Sequence, residues 1–289
     1  MNKKALRYSK RDIQSVSGRK LSHEEIQDRL FEMMCSFDSF CKKNDIEYYL
    51  TYGTLIGAVR HGGFIPWDDD VDIFVPRADY ERLKFMDCVD ENIDIVSAWD
   101  DHGYYHPYTY INLADKHTVI DEAFAAHPTG KGLFIDIFPL DEIPDRGVRR
   151  FVFMSRILFL RAIHMFTTKS FKKEFSLKAV LMDIFIILFK PIDEVEMAKR
   201  IDTLSAKYCG ENCRTLGLTL QADLRENSWP SEDYDHSVMV KYNGKDFPAP
   251  CEYDHVLRVG YGDYMTPPPP ECRNSTHGFE AYERKEQKG

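Results

Sequence analysis

The 289-residue chain has no basic stripe: 38 Lys and Arg stand against 47 Asp and Glu, for a formal charge of −9. Without a positive footprint for phosphate backbones, nucleic-acid binding is not expected. No apolar h-region follows the polar, basic stretch Met1–Lys20, so a secretory signal is not expected either. Seven cysteines, at 35, 41, 88, 209, 213, 251 and 272, are odd in number and scattered, unlike a disulfide framework. Both features point to the cytoplasm. Cys209 and Cys213 lack a second Cys/His pair at zinc-ligand distance, so free thiols are expected. No internal repeat is present. Nor does any apolar run reach the roughly twenty residues that a bilayer requires. Phe151 to Phe166 is interrupted by Arg156, Arg161 and His164, and Ala179 to Phe189 by Asp183. Basic residues surround both stretches, from Arg149 and Arg150 to Lys169, Lys172, Lys173 and Lys178. A core-facing helix pair with a solvated basic edge is favoured over a pair lying on the inner face of the plasma membrane.

What is present reads as a globular α/β or α+β chain, 43% hydrophobic and 29% charged. Residues 1–20 are expected to form a flexible tail, and 21–289 a single unit. Within that unit the pattern separates a core of about 21–147, a helical segment of about 148–210 and a C-terminal part, 211–289. Ser22 and Glu25 form a capping box opening a helix, with Ile26, Leu30, Met33, Met34, Phe37, Phe40 and Cys41 at helical spacing. Strands are expected at 47–51, 71–75, 93–98 and 133–138, helices up to Arg60 and over 78–86, and β-formers across 104–114. Val238 to Phe247 reads as a hairpin turning on Asn243-Gly244, followed by a short helix from Pro250 to Val259. Pro267–Pro270 forms a stiff extended segment.

The chemistry gathers in the run from Tyr52 to Ile73. Asp70 and Asp72 are two apart, so on an extended segment both carboxylates face one side while Val71 and Ile73 face the core. Two such carboxylates repel unless a cation joins them, and hard oxygen ligands suit Mg²⁺. Asp136, between Ile135 and Ile137, has the same need. If its strand neighbours the first, three carboxylates converge in an arrangement suited to two metal ions and phosphoryl transfer. Capping of a turn or pairing with a basic side chain is the structural alternative for Asp136. An EF-hand beginning at Asp68 fails, because Ile73 and Asp79 stand where Gly and Glu are required. Gly53 and Thr54 before a helix offer backbone N–H groups and a hydroxyl to a phosphate, and Arg60 and His61 could reach the same anion. Capping of the helix dipole is the alternative for that basic pair.

Tyr52 to Pro76, with its Gly53–His61 and Phe64–Ile73 segments, resembles the LicD family of phosphocholine transferases, relatives of fukutin and fukutin-related protein. Leu133 to Asp141 resembles that family's second motif. Phe247 to Pro250, Tyr253 to Leu257, Tyr261 to Met265, and Pro267-Pro268 resemble its C-terminal signature. The resemblance spans roughly residues 22 to 277. It implies a nucleotidyltransferase-type mixed-sheet core with a helical insertion and a small C-terminal hairpin and helix. It also implies transfer of a phospho-substituent, typically from CDP-choline, to a hydroxyl of teichoic acid, capsule or lipopolysaccharide, with release of CMP. Asp70, Asp72 and Asp136 would hold Mg²⁺, two ions, with Mn²⁺ as a substitute and Asp68 and Asp69 as further ligands or their supports. One carboxylate or a nearby His would take the acceptor proton. A choline cage would draw on Tyr104, Tyr105, Tyr108, Tyr110, Trp67, Trp99 or Trp229. Two alternatives stand beside this reading. One is nucleotidyl transfer, or transfer of another phospho-group such as ribitol, glycerol or sugar phosphate, at the same metal site. The other is a catalytically silent glycan- or nucleotide-binding protein.

Overall fold

A computed structural model describes residues 10–99, 106–122, 129–168, 185–220, 227–274 and 278–285. The fold is mixed α and β, built around one long strand. That strand, β8 (Phe134–Ile143), follows the short elements α1 (Lys10–Val16), β1 (Ser17–Lys20), α2 (His23–Asn44), β2 (Tyr49–Leu50), α3 (Tyr52–Ile56), β3 (Asp72–Pro76), α4 (Arg77–Leu83), β4 (Cys88–Asp90), β5 (Ile93–Val96), β6 (Ile111–Asp115) and β7 (Thr118–Glu122). After it come α5 (Val148–Thr168), α6 (Glu194–Ser205), β9 (Thr215–Gly217), β10 (Ser228–Pro230), β11 (Ser237–Tyr242), β12 (Lys245–Pro250), α7 (Tyr253–Tyr261) and β13 (Phe279–Arg284).

β8 pairs antiparallel with β6, parallel with β3 on its opposite edge, and antiparallel with β9 near its end. Its side chains alternate between two cores. Ile135 and Ile137, with Ile73 and Val75 of β3, face α2 through Leu30, Met33, Met34 and Phe37. Phe138 and Leu140, with Phe74, face Ile201 and Met197 of α6 and Trp229 of β10. The central strands are buried on both faces, as their near-continuous apolar sequences require. α2 begins at the expected capping box, in which Ser22 Oγ accepts from the Glu25 N–H and Glu25 accepts from the Ser22 N–H. It ends at Asp45, whose positive φ of 52° gives the left-handed stop. The expected hairpin is present as β11–β12, with Asn243 and Gly244 at φ 47° and 81°, the two positive values that such a turn demands.

Several expectations need correction. Residues 10–20 are a helix and a strand rather than a flexible tail: β1 pairs with β13, which also pairs with β7. This small sheet is closed by residues more than a hundred positions apart, which no local pattern announces. The helix after β2 does not run as one α-helix to Arg60. It widens into a π-turn over Gly57–His61, where a Cβ on Gly57 would stand 2.5 Å from the Gly63 carbonyl oxygen. The last helix begins at Tyr253 rather than Pro250, and the tetraproline segment closes in a 3₁₀ turn over Pro270–Cys272. α5 runs for 21 residues, longer than its apolar stretch suggested, and is apolar enough by length and composition to cross a membrane. Most of the second apolar stretch, with its lysines, lies outside the described residues.

Candidate active site

The site stands where β3 and β8 begin. Their parallel register sets Asp72 directly beside Asp136, and the antiparallel register of β6 sets Asn112 on the other side of Asp136. Residues in register share a face of a sheet. Asn112, Asp136 and Asp72 therefore form a polar row on the face that carries Phe74 and Phe138. Val71 and Ile73, on the opposite face, are 0% and 1% exposed. The neighbourhood of the two acidic strands, on which convergence depended, is thus present.

The chain before β3 completes an acidic group. Carboxylate oxygens of Asp68, Asp69 and Asp70 lie within 4.8 Å of one another. Among the described residues this is the group dense enough in donors to hold a metal ion, and it sets Asp68 and Asp69, which the sequence reading offered as further ligands or supports, beside Asp70. Asp72 is held well above the usual carboxylate range, first by burial and then by the charges of Asp70, Asp136 and Asp68. Several negative charges focused on a buried carboxyl are the arrangement that a divalent cation neutralises. The donor set, all carboxylate oxygen, fits Mg²⁺ or Mn²⁺ and gives no soft ligand to zinc or copper.

Backbone contacts fix this loop. Gln27 Nε2 donates to the carbonyls of Ile65 and Asp68, at 3.3 and 2.8 Å, and the Asp68 N–H donates to the Ile65 carbonyl. Thr54 Oγ1 accepts the Asp72 N–H at 2.9 Å, while the Asp136 N–H reaches the Val71 carbonyl at 2.9 Å. Thr54 is 3% exposed, so its first service is to hold the Asp72 backbone. Gly53 serves a close approach: a Cβ there would stand 2.8 Å from Asp68 Oδ2. Beside it Tyr52 adopts φ 46°, a left-handed conformation that costs an aromatic residue energy and that the surrounding packing against Phe74 and Phe138 sustains.

Two neighbours escaped sequence reading. Asn112, fully buried, donates through Nδ2 to Asp136 Oδ1 and accepts through Oδ1 from Lys131 Nζ. The orientation of the amide follows from its partners, since its oxygen must meet the ammonium and its nitrogen the carboxylate. Lys131 is 2% exposed and rests 3.7 Å from the Phe134 ring centroid and 5.0 Å from that of Tyr108. A Lys in a loop and an Asn in an apolar strand carry no motif; only the register joins them.

Arg60 and His61 lie at the end of the π-turn. Arg60 Nη1 donates to the Tyr264 carbonyl, and burial and the nearby Arg273 lower its pKa. The Arg273 guanidinium lies over the Trp67 ring at 5.3 Å, and His61, also depressed by burial and by Arg60, packs edge-on to Trp67. A cationic cluster therefore adjoins the residue preceding Asp68. Tyr261, at the end of α7, is half-exposed; its hydroxyl is pushed up by the enclosing protein and by Asp72, Asp70 and Asp68.

The proposed choline-cage residues separate. Trp229 is buried against Phe74 and Tyr234, and Trp99 packs on Lys84 and Lys199 while donating to Asp202 at 2.9 Å, so both are committed to packing contacts of the fold. Tyr108 and Tyr110 stack at 5.5 Å, and Tyr110 packs against Phe138 beside the site. Tyr104 and Tyr105 lie outside the described residues.

Residues 45–175 match the family described as "LicD/FKTN/FKRP, nucleotidyltransferase domain". The chain carries a LicD-family domain. That LicD domain contains Gly53, Thr54, Arg60, His61, the Asp68–Asp72 run, Asn112, Lys131 and Asp136. The similarity extends beyond it. Lipopolysaccharide cholinephosphotransferase LicD of Haemophilus influenzae is 28% identical over 279 residues, covering 91% of this chain and 99% of that protein. Shorter likenesses reach an uncharacterised protein of Rickettsia prowazekii, 30% identical over 40% of each chain, and Mannosyltransferase regulator 4 of Saccharomyces cerevisiae. The yeast protein is 30% identical over 39% of this chain but only 10% of its own length, so the likeness is to one segment of it rather than to a whole architecture.

Proposed function

We propose that this LicD-type transferase of phosphate-containing groups moves phosphocholine from CDP-choline to a hydroxyl of a cell-surface glycan, with lipopolysaccharide the first candidate acceptor. The observation that carries the proposal is the acidic group Asp68–Asp70 beside the in-register pair Asp72 and Asp136, inside a LicD domain. The near full-length likeness to the Haemophilus enzyme supports the choice of phosphocholine and lipopolysaccharide. The seven free cysteines suit a cytoplasmic reaction.

In the proposed reaction the acceptor oxygen attacks the phosphorus that bears choline. A new P–O bond forms, the bond to the bridging oxygen breaks, and CMP leaves with that oxygen. Asp70, Asp72 and Asp136, with Asp68 and Asp69 at hand, would hold Mg²⁺. When bound, the metal neutralises the diphosphate and stabilises charge on the leaving group. Thr54 fixes the strand bearing Asp72, and Asn112 aims Asp136. Arg60 and Arg273 give an anionic donor a cationic approach, with the neutral imidazole of His61 beside them. The acceptor proton passes to one of the site carboxylates or to a nearby His.

The second reading, nucleotidyl transfer or transfer of a ribitol, glycerol or sugar phosphate, is favoured by the nucleotidyltransferase character of the matched domain. Product analysis separates the readings. Purified chain, Mg²⁺, CDP-choline and deacylated lipopolysaccharide should release CMP in step with phosphocholine on the glycan, while free phosphocholine with CMP on the glycan would indicate nucleotidyl transfer. Asp72→Asn and Asp136→Asn should each lower turnover by about 10²-fold or more. Full activity in Asp72→Ala would remove this site from the chemistry.

A further inference from the structure

We propose that the exposed face of α5 docks on the anionic surface of a lipid bilayer. This inference is independent of the transfer chemistry. The sequence favoured a helix pair turned into the core; the structure leaves one face of α5 uncovered. Phe151, Val152, Leu158 and Phe159 follow i, i+1, i+7, i+8 spacing, with Phe151 73% and Phe159 65% exposed. Ile187 and Leu188, from the stretch after the helix, are also exposed, at 64% and 63%. Contiguous large apolar side chains on a surface mark an interaction site rather than ordinary scatter.

Charge selects the occupant. Between residues 146 and 168 there are five arginines and no Asp or Glu, in a chain of net charge −9. Arg149 and Arg156 border the apolar stripe, where long side chains can keep their charges in the headgroup layer while the aromatic rings enter below it. Anionic lipid rewards such a cationic border; a second copy docking through the same face would set these arginines against their own counterparts. Arg149 also pairs with Glu211 at 3.0 Å, a surface contact that the headgroups would replace.

The helix lies on the bilayer rather than crossing it. Its other face is committed to the fold: Phe153 and Ile157 pack with Ile143 and Tyr208, and Ile163 joins the core of Phe138 and Ile201. A membrane crossing would strip those contacts. His164 Nε2 donates to the Pro107 carbonyl at 2.8 Å, one residue before Tyr108. The docking helix and the aromatic wall of the active site are therefore tied together, and an acceptor anchored in the same bilayer would be presented beside the carboxylates.

The test is co-sedimentation of the full chain with sucrose-loaded vesicles of phosphatidylcholine alone or mixed with phosphatidylglycerol. Retention is expected on the anionic vesicles and should fall with salt. Arg149→Gln with Arg156→Gln should weaken binding roughly thirty-fold, and Phe151→Ser with Phe159→Ser should abolish it. All four positions are exposed, so the melting temperature should hold. Should a pair fail to fold, Phe159→Trp supplies a second measurement: its added fluorescence should be quenched by brominated lipid in anionic vesicles. Absence of retention on anionic vesicles, or equal retention by both variants, overturns the proposal. So does a stable dimer that Phe151→Ser with Phe159→Ser dissociates while vesicles ignore the wild-type chain.

Discussion

Asn112 has no charge, yet each end of its amide is engaged by a charged group, Lys131 on one side and Asp136 on the other. A buried amide held this way fixes the carboxylate's rotation and passes on part of the lysine's field. Asn112→Ala should remove one constraint on the Asp136 carboxylate and leave Lys131 buried without this acceptor. We expect kcat to fall about 10- to 100-fold, the range for residues that orient metal ligands, with a smaller change in KM for the nucleotide donor. An equal loss in both, accompanied by a lowered melting temperature, would reduce Asn112 to a packing residue. Asp70, Asp72 and Asp136 were legible in the sequence because an acidic side chain in an apolar strand violates the burial pattern. Asn112 and Lys131 were not, since a neutral amide and a loop lysine violate nothing until strand register brings them to Asp136. Thr54 was read as a phosphate seat; its hydrogen bond to the Asp72 N–H depends on a tertiary contact that the turn pattern does not contain.

Among the elements, α4, β8 and α6 meet through a buried network at the end of β3 opposite the site. Arg77 donates to Asp141 and Asp202 at 2.6 Å each, and Lys84 donates to Asp202 at 3.0 Å. Burial holds Asp141 above the usual carboxylate range, whereas Arg77 and Lys84 overcome burial to hold Asp202 below it. Arg77→Met would leave two buried acids short of their shared cation. The expected loss is about 3–5 kcal/mol, read as a lower urea midpoint; a loss under 1 kcal/mol would mean that water or Lys84 compensates. The elements that were legible carry local signals: the capping box of α2, the Asn243-Gly244 turn, and the apolar runs of β3 and β8. β7 and β13 were missed because each is short and gains its partner only from distant chain. The π-turn was missed because its cause, the packing of Gly57 against Gly63, is a contact rather than a propensity.

For the whole molecule, the clustered carboxylates couple stability to pH and to divalent cation. Asp72 is held above its usual range by burial and by Asp70, Asp136 and Asp68, so the metal-free folded chain retains a proton that the unfolded chain releases. Stability of the metal-free protein should therefore fall as pH rises from the ordinary carboxylate range through the raised pKa of Asp72. Divalent cation competes with that proton for the same oxygens, and its stabilisation should grow over the same rise in pH. At a hundredfold excess over its dissociation constant, Mg²⁺ should add about 2.7 kcal/mol. Melting curves in Mg²⁺ and in EDTA should thus separate by several degrees at pH 8 and converge near pH 5. Asp72→Asn should raise the melting temperature in EDTA, because it removes a repelled charge, and should shrink the response to Mg²⁺. Superimposable curves with and without Mg²⁺ at pH 8 would mean that the acidic group does not bind the ion tightly enough to support the proposed chemistry. A response unchanged by Asp72→Asn would shift the ion toward Asp68, Asp69 and Asp70, the three whose oxygens already stand within 4.8 Å of one another.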